Sequence, residues 1–165
     1  MVQHRIWFLG KNIDTDLIVP PQYLTARDPS VQTKHALESL LPNFSAEVRV
    51  GDIIVADTNF GCGSSREEAV FVLKELGIRV IIASSFARIF YRNCFNLGIP
   101  AIILPDAVSK LKDKQIIDIQ LDKGTIILPD GVLYFKEIPS FLLEMIEAGG
   151  ALELLKKKKN LQNSM

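Results

Sequence analysis

Cysteine is scarce in this chain. Cys62 and Cys94 are its only two cysteines in 165 residues. Two thiols make no disulfide framework, and their spacing is not that of a short metal-ligand pair. A three-cysteine iron–sulfur site cannot be assembled from them. Reduced thiols in a cytoplasmic protein are the reading that follows. Histidine is equally rare: His4 and His35 stand alone and read as incidental. An excess of one charge is missing too, since nineteen basic side chains cancel nineteen acidic ones. No global field therefore draws the chain to nucleic acid or to a membrane surface. No apolar run is long enough to span a bilayer. The opening stretch from Met1 to Leu9 reaches charge too early for a signal peptide, and Ile6 to Leu9 reads as a first strand.

What is present is the composition of one globular domain over residues 1–165, 48% hydrophobic and 23% charged, enough to bury a core. Residues 11–30 read as a loop, punctuated by Asn12, Asp14, Asp16, Pro20, Pro21, Asp28 and Pro29. That is long for a structureless connection and points to function or disorder. The two aspartates at its start read as turn formers rather than a metal pair. The spacing of Val31, Ala36, Leu37, Leu40 and Leu41 predicts a helix over 31–41. Strands at 53–55, 80–83 and 99–104 then alternate with helices at about 65–76 and 86–97, ended by Gly77 and Gly98. This order predicts an α/β fold with a partly parallel sheet covered by helices. Asp122-Lys123-Gly124 marks a hairpin between 116–121 and 125–128, with a further strand at 132–135. Residues 138–155 carry helical spacing with a break at Gly149-Gly150. Lys156 to Lys159 end that helix as a solvated basic patch suited to its dipole rather than a nucleic-acid tail.

The segment richest in chemistry runs Asn59-Phe60-Gly61-Cys62-Gly63-Ser64-Ser65-Arg66-Glu67-Glu68-Ala69. Gly61 and Gly63 permit backbone angles and close approaches that a side chain forbids. The turn leads from a strand into a helix, whose N-terminus offers unpaired N–H groups and positive potential to an anion. Two hydroxyls and a guanidinium stand at the same spot, and Arg66 suits a two-pronged grip on a carboxylate. A plain cap explains part of this, because Ser64 with Glu67, or Ser65 with Glu68, fits a capping box. The residues alone leave both readings open. The spacing is neither a P-loop, which needs a lysine, nor GxGxxG. Asp57 and Asn59 read as shapers of the turn, and Cys62 as a small filler.

This segment resembles the signature of the aconitase swivelling domain. Asn12-Ile13-Asp14-Thr15-Asp16-Leu17-Ile18-Val19-Pro20, followed by Tyr23-Leu24, resembles the N-terminal loop of the small subunits of isopropylmalate dehydratase and homoaconitase. Ser84-Ser85-Phe86-Ala87-Arg88-Ile89-Phe90-Tyr91-Arg92-Asn93, continued by Asn96 to Pro100, resembles the stretch that follows in the same family. Order and spacing agree over residues 5–105. The remainder agrees only loosely, as a hairpin and a last helix.

The resemblance implies a β/β/α swivelling-domain fold, with a mixed, partly barrel-like sheet flanked by helices. It implies a hydro-lyase active only with a large subunit. That partner is expected to hold a [4Fe–4S] cluster as Lewis acid, with no cofactor or metal site on this chain. It implies that Ser64 is the catalytic base, that Ser65 hydrogen-bonds substrate or base, and that Arg66 binds a substrate carboxylate. Specificity is expected from Tyr23, Leu24, Thr25, Ala26 and Arg27. Thr25 stands where homoaconitases often carry arginine, and Ala26 is small and apolar. That favours the branched hydrocarbon of 2-isopropylmalate, hence leucine biosynthesis, over homoaconitate. Arg27 reads as solvated or paired with Asp28. Arg88 and Arg92, four apart on one helix face, either contact substrate or large subunit or face water. The loop at 15–35 is expected to be mobile without the partner. A non-catalytic anion-binding or RNA-binding regulatory module is the rival of another class, opposed by the neutral charge and the lack of a basic aromatic face.

Overall fold

The computed structural model describes residues 4–105 and 107–163. Met1, Val2 and Gln3 of the opening stretch therefore lie outside the described residues. Four short apolar segments build the parallel half of the sheet: β1 (His4–Phe8), β2 (Ile53–Ala56), β3 (Val80–Ala83) and β4 (Ala101–Ile103). Every residue of β2 and β3 is buried, as strands covered on both faces require. β1 pairs with β2, β2 with β3 and β3 with β4, all parallel. β5 (Ile116–Gln120) then returns antiparallel to the other edge of β1, and β6 (Thr125–Leu128) and β7 (Gly131–Tyr134) continue as a meander. The sheet order is β4-β3-β2-β1-β5-β6-β7. This mixed sheet forms a half-barrel flanked by helices, the architecture expected from the sequence.

Parallel neighbours need crossovers. Between β1 and β2 the chain makes α1 (Thr15–Ile18), a 3-10 turn (Pro21–Tyr23), α2 (Pro29–Lys34) and α3 (Phe44–Glu47). α4 (Glu67–Glu75) joins β2 to β3, and α5 (Arg88–Asn96) joins β3 to β4. α4 buries Ala69, Val70, Val72 and Leu73, and each of the larger side chains contributes about 1.5–3 kcal/mol by leaving water. α6 (Ala107–Lys110) precedes β5, and α7 (Ser140–Ala148) and α8 (Ala151–Asn163) close the described chain. Among the described residues no helix is long and apolar enough to cross a membrane.

Three local expectations need correction. Residues 11–30 are not one open loop. Asp14 accepts from the Asp16 N–H and starts α1, and Asp28 accepts from the Ser30 N–H and starts α2 with Pro29 at its first position. The helix expected over 31–41 stops at Lys34. Leu37 takes a left-handed backbone with φ 56° and donates its N–H to Ile18 O at 3.1 Å. That backbone costs about 1–2 kcal/mol, and complete burial of the Leu37 side chain contributes about 1.5–3 kcal/mol. Ala36 and Leu37 thus reach the core from a turn. Finally, Lys156 to Lys159 do not end the last helix, which runs on to Asn163. Lysine is a good helix former, and Lys156 and Lys158 pair with Glu153 and Glu144 at 2.8 and 3.2 Å.

The edge of the sheet where β2 begins is held by one carboxylate. Asp52 Oδ2 accepts from Arg5 Nη2 at 2.6 Å, Trp7 Nε1 at 2.7 Å and the Arg49 N–H at 3.0 Å. Burial pushes this carboxyl up, but the hydrogen bonds from Arg5, Trp7 and Arg49 outweigh it and hold Asp52 below its ordinary 3.8. A carboxylate with a depressed folded value stabilises fully above that ordinary value and loses the contribution as pH falls through the folded one. Asp52→Asn is expected to cost about 2–3 kcal/mol at neutral pH, the scale of buried hydrogen bonds to a charged group. Denaturant melts between pH 6 and pH 3 check this: the stability gap between wild type and variant should shrink on acidification, and a gap independent of pH would contradict it.

Candidate functional site

The three sequence motifs follow β1, β2 and β3, so the topology gathers them beyond the carboxyl ends of adjacent parallel strands, where open α/β sheets bind ligands. Main-chain hydrogen bonds lace them together. Asn12 donates its N–H to Thr58 O and Gly61 donates to Ile13 O, both at 2.8 Å, and Thr15 donates to Cys62 O at 2.9 Å. The Thr15 hydroxyl donates to Ser64 O at 2.9 Å. On the other flank Phe60 donates to Ser85 O at 3.0 Å and Ala87 donates to Phe60 O at 2.9 Å. Asn59 donates its N–H to Ser85 Oγ at 2.9 Å.

The glycines are required by these approaches. Gly61 has φ 77°, and a Cβ there would overlap the Phe90 ring. Gly63 has φ 84°, and a Cβ there would overlap the Asp14 carboxylate that caps α1. With the loop held so closely, Ser64 and Ser65 are turned outward and exposed.

Neither capping box forms. The N-cap of α4 is Arg66, in extended conformation, and no side chain caps the helix. Neither serine hydroxyl has a hydrogen-bond partner among the described residues. A cavity of about 200 Å³ opens beside them, lined by Thr15, Ser64, Ser65, Arg66, Arg88 and Ile89 among others. Arg66 Nη1 lies 2.8 Å from Asp16 Oδ1. The two atoms are in ionic contact without the alignment of a hydrogen bond, and both are shielded from solvent. The arrangement is cationic, offers two unengaged hydroxyls and suits a carboxylate.

The thiols are unsuited to act here. Burial raises the Cys62 thiol, with the Asp14 carboxylate adding to it, and burial raises Cys94 much further. Among the described residues no three His, Cys, Asp or Glu side chains gather to hold a metal ion. With only two cysteines, this donor set does not fit an iron–sulfur cluster.

Residues 12–107 match the model of the Aconitase C-terminal domain family. The chain is 43% identical over 164 residues to the 3-isopropylmalate dehydratase small subunit of Thermodesulfovibrio yellowstonii, covering 98% of each chain. It is 48% identical to that of Nautilia profundicola, covering 96% of this chain and 99% of the relative. A crystal structure of 3-isopropylmalate dehydratase from Methanocaldococcus jannaschii superposes with a TM-score of 0.91 at 40% identity, covering 99% of this chain and 98% of that one. The chain belongs to the family of 3-isopropylmalate dehydratase small subunits.

Within this small-subunit family member, Ser64, Ser65 and Arg66 line one cavity, but the Tyr23–Arg27 loop does not line it. Tyr23 stacks on His35 with ring centroids 4.0 Å apart, and Leu24 packs against the core while its carbonyl accepts from Gln32 Nε2. Thr25 and Arg27 are exposed, and Ala26 is half-buried. A larger, more open groove of about 690 Å³ between α2, α3 and α4 contains none of the signature residues. Its polar side chains are partly engaged with one another, the Ser45 hydroxyl donating to Lys34 O at 2.6 Å and His35 Nδ1 lying 2.6 Å from Glu38. Sequence reasoning missed Thr15 and Ile89 as cavity residues. Thr15 sat inside a quoted motif, and a polar residue 1% exposed marks a functional support. Ile89 carried no signal, since isoleucine in an apolar helix reads as core.

Two outcomes follow from this geometry. Gly61→Ala is expected to cost about 2–4 kcal/mol from overlap with Phe90 and the left-handed backbone, seen as a lowered thermal midpoint. Gly10→Ala, with nothing within 4 Å of its Cβ, should leave it unchanged. In the 21–28 stretch the backbone N–H bonds reach only near neighbours, Tyr23 to Pro20, Leu24 to Pro21 and Ala26 to Tyr23. These amides should exchange with solvent deuterium far faster than that of Thr15, which is tied to Cys62. Equal protection of the two in the isolated chain would refute mobility of this stretch, the middle of the 15–35 loop expected to be mobile, whose two ends form α1 and α2.

Proposed function

We propose that this chain is a single swivelling domain that works as the small subunit of a hydro-lyase, isomerising 2-isopropylmalate to 3-isopropylmalate by dehydration and rehydration in leucine biosynthesis. The observation that carries the reading is the pair of uncapped serine hydroxyls beside Arg66 at the start of α4, in a chain related to these small subunits over nearly its whole length. The reduced state of both cysteines and the biosynthetic role fit the cytoplasm.

Ser64 removes the proton next to a substrate carboxylate and later delivers one to the neighbouring carbon. A free serine hydroxyl is too weak a base for this. Its alkoxide gains stability from the positive end of α4 and from the cationic cavity wall. Thr15 fixes the Ser64 carbonyl through its hydroxyl. Ser65 hydrogen-bonds the substrate or the base, and Arg66 binds a carboxylate through its planar fork. Tyr23 to Arg27 form the specificity segment, and a partner that draws this loop over the cavity brings Thr25 and Ala26 to the branched substituent. The resemblance to the aconitase swivelling domain implies that a large subunit carries a [4Fe–4S] group, for which this chain's two cysteines are too few. When bound there, the group supplies the Lewis acid for the departing hydroxyl.

The test is anaerobic turnover by the chain reconstituted with a cluster-loaded large subunit. Ser64→Ala is expected to lower kcat by about 10²–10⁴-fold, the scale of a positioned general base, while the complex still assembles. Isopropylmalate should be preferred over homocitrate and cis-homoaconitate. A preference for the longer tricarboxylic acids would keep the chemistry and reassign Arg27 to the site. No turnover of any hydroxy acid by a verified complex would reject the enzyme reading in favour of a binding module.

A further inference from the structure

The cavity beside the serines is lined by two guanidinium groups and by no acidic side chain. Arg66 comes to it from the N-cap of α4 and Arg88 from the first residue of α5. Their states differ. Arg66 is countered by Asp16 at 2.8 Å. Arg88 makes no ion pair or hydrogen bond among the described residues and stands exposed. Arg92 is exposed one turn later on the same helix, yet does not line the cavity. The two arginines that the sequence presents as equivalent are therefore not equivalent: Arg88 lines the cavity and Arg92, one turn further on, does not.

A dicarboxylate needs two cationic contacts to be held in one orientation, and Arg66 supplies one. We propose that Arg88 is a second substrate-binding residue, gripping the carboxylate that Arg66 does not. This rests on the function proposed above and extends it. Arg88 is the site's unneutralised charge, and a dianion entering the cavity cancels it together with the share of Arg66 that Asp16 leaves. Closure by a partner removes water from the cavity mouth and strengthens the contact, since charge attraction grows as the effective dielectric falls. The inward position of Arg88 is set by Ala87, whose N–H is tied to Phe60 O at 2.9 Å in the signature loop. The same loop that orients Ser64 thus orients the second arginine.

The experiment uses the reconstituted complex with Arg88→Gln and, as control, Arg92→Gln. Each is assayed with 2-isopropylmalate and with its two monoamides, in which one carboxylate at a time has lost its charge. Assembly is followed by light scattering. Arg88→Gln is expected to raise KM for the diacid on the order of 10- to 100-fold, the scale of hydrogen bonds to a charged group. It should be nearly silent toward one of the two monoamides, because the lost charge and the lost carboxylate are the same contact. Arg92→Gln should leave all three substrates unchanged. An unchanged KM in Arg88→Gln, an equal penalty on the diacid and both monoamides, or an equal effect of Arg92→Gln would overturn the assignment. Impaired assembly would do so as well, since it moves Arg88 to the docking surface. A wild-type complex inert toward every hydroxy acid would reject the proposed function itself, and this inference with it.

Discussion

Phe60 is the point on which the site depends. Its side chain is wholly buried, with Phe90 and Phe86 edge-on at 5.3 and 6.0 Å between ring centroids. Its backbone is bound on both sides to the loop after β3, and the next residue, Gly61, is bound to the loop after β1. Tyr91 extends the aromatic layer, 5.5 Å from Phe86 and 5.1 Å from Phe95. The reactive turn therefore stands on a packed apolar floor. Such a floor is close-packed and transmits displacement instead of absorbing it, so residues with no polar role govern where the serine hydroxyls point.

The two ends of the parallel strands treat charge in opposite ways. Where β2 begins, Asp52 collects a guanidinium, an indole N–H and a main-chain N–H on the single oxygen Oδ2. Arg5 and Lys114 add cationic contacts to the Trp7 ring, at 4.8 and 3.1 Å from its centroid. Where the strands end, the Arg88 guanidinium and the Ser64 and Ser65 hydroxyls have no partner among the described residues. Unmet polar capacity is a cost for folding and a resource for binding.

Much of this was legible beforehand. Apolar runs such as Ile53 to Val55 and Val80 to Ala83 announce buried strands because both faces are covered, and Asp122-Lys123-Gly124 announces its hairpin through turn chemistry. Ser64, Ser65 and Arg66 were visible as a group because a turn entering a helix is a local event. Less legible was whatever depends on distant partners. The 31–41 pattern is helical in spacing, yet Leu37 is drawn into a left-handed turn by the Ile18 carbonyl. Ser64 and Ser65 satisfy the letters of a capping box, but the helix begins later, after Arg66, because the loop before it is held by Thr15 and Asp14. Arg88 and Arg92 differ only through the position of α5 against the signature loop.

The place of β1 in the sheet also bears on how the chain is made. β1 precedes the other described strands in the chain, and it ends in the middle of the sheet between β2 and β5. Its register with Ile53 to Val55 and with Ile116 and Ile117 waits on segments synthesised much later. Until β5 emerges, one edge of a central apolar strand is uncovered, open to any other extended chain nearby. The short length of β1 and the charged Arg5 limit that exposure, and long-range pairings of this kind slow folding. Newly made chains are therefore at their most vulnerable late in synthesis, after the reactive turn is complete and before the meander closes over the first strand.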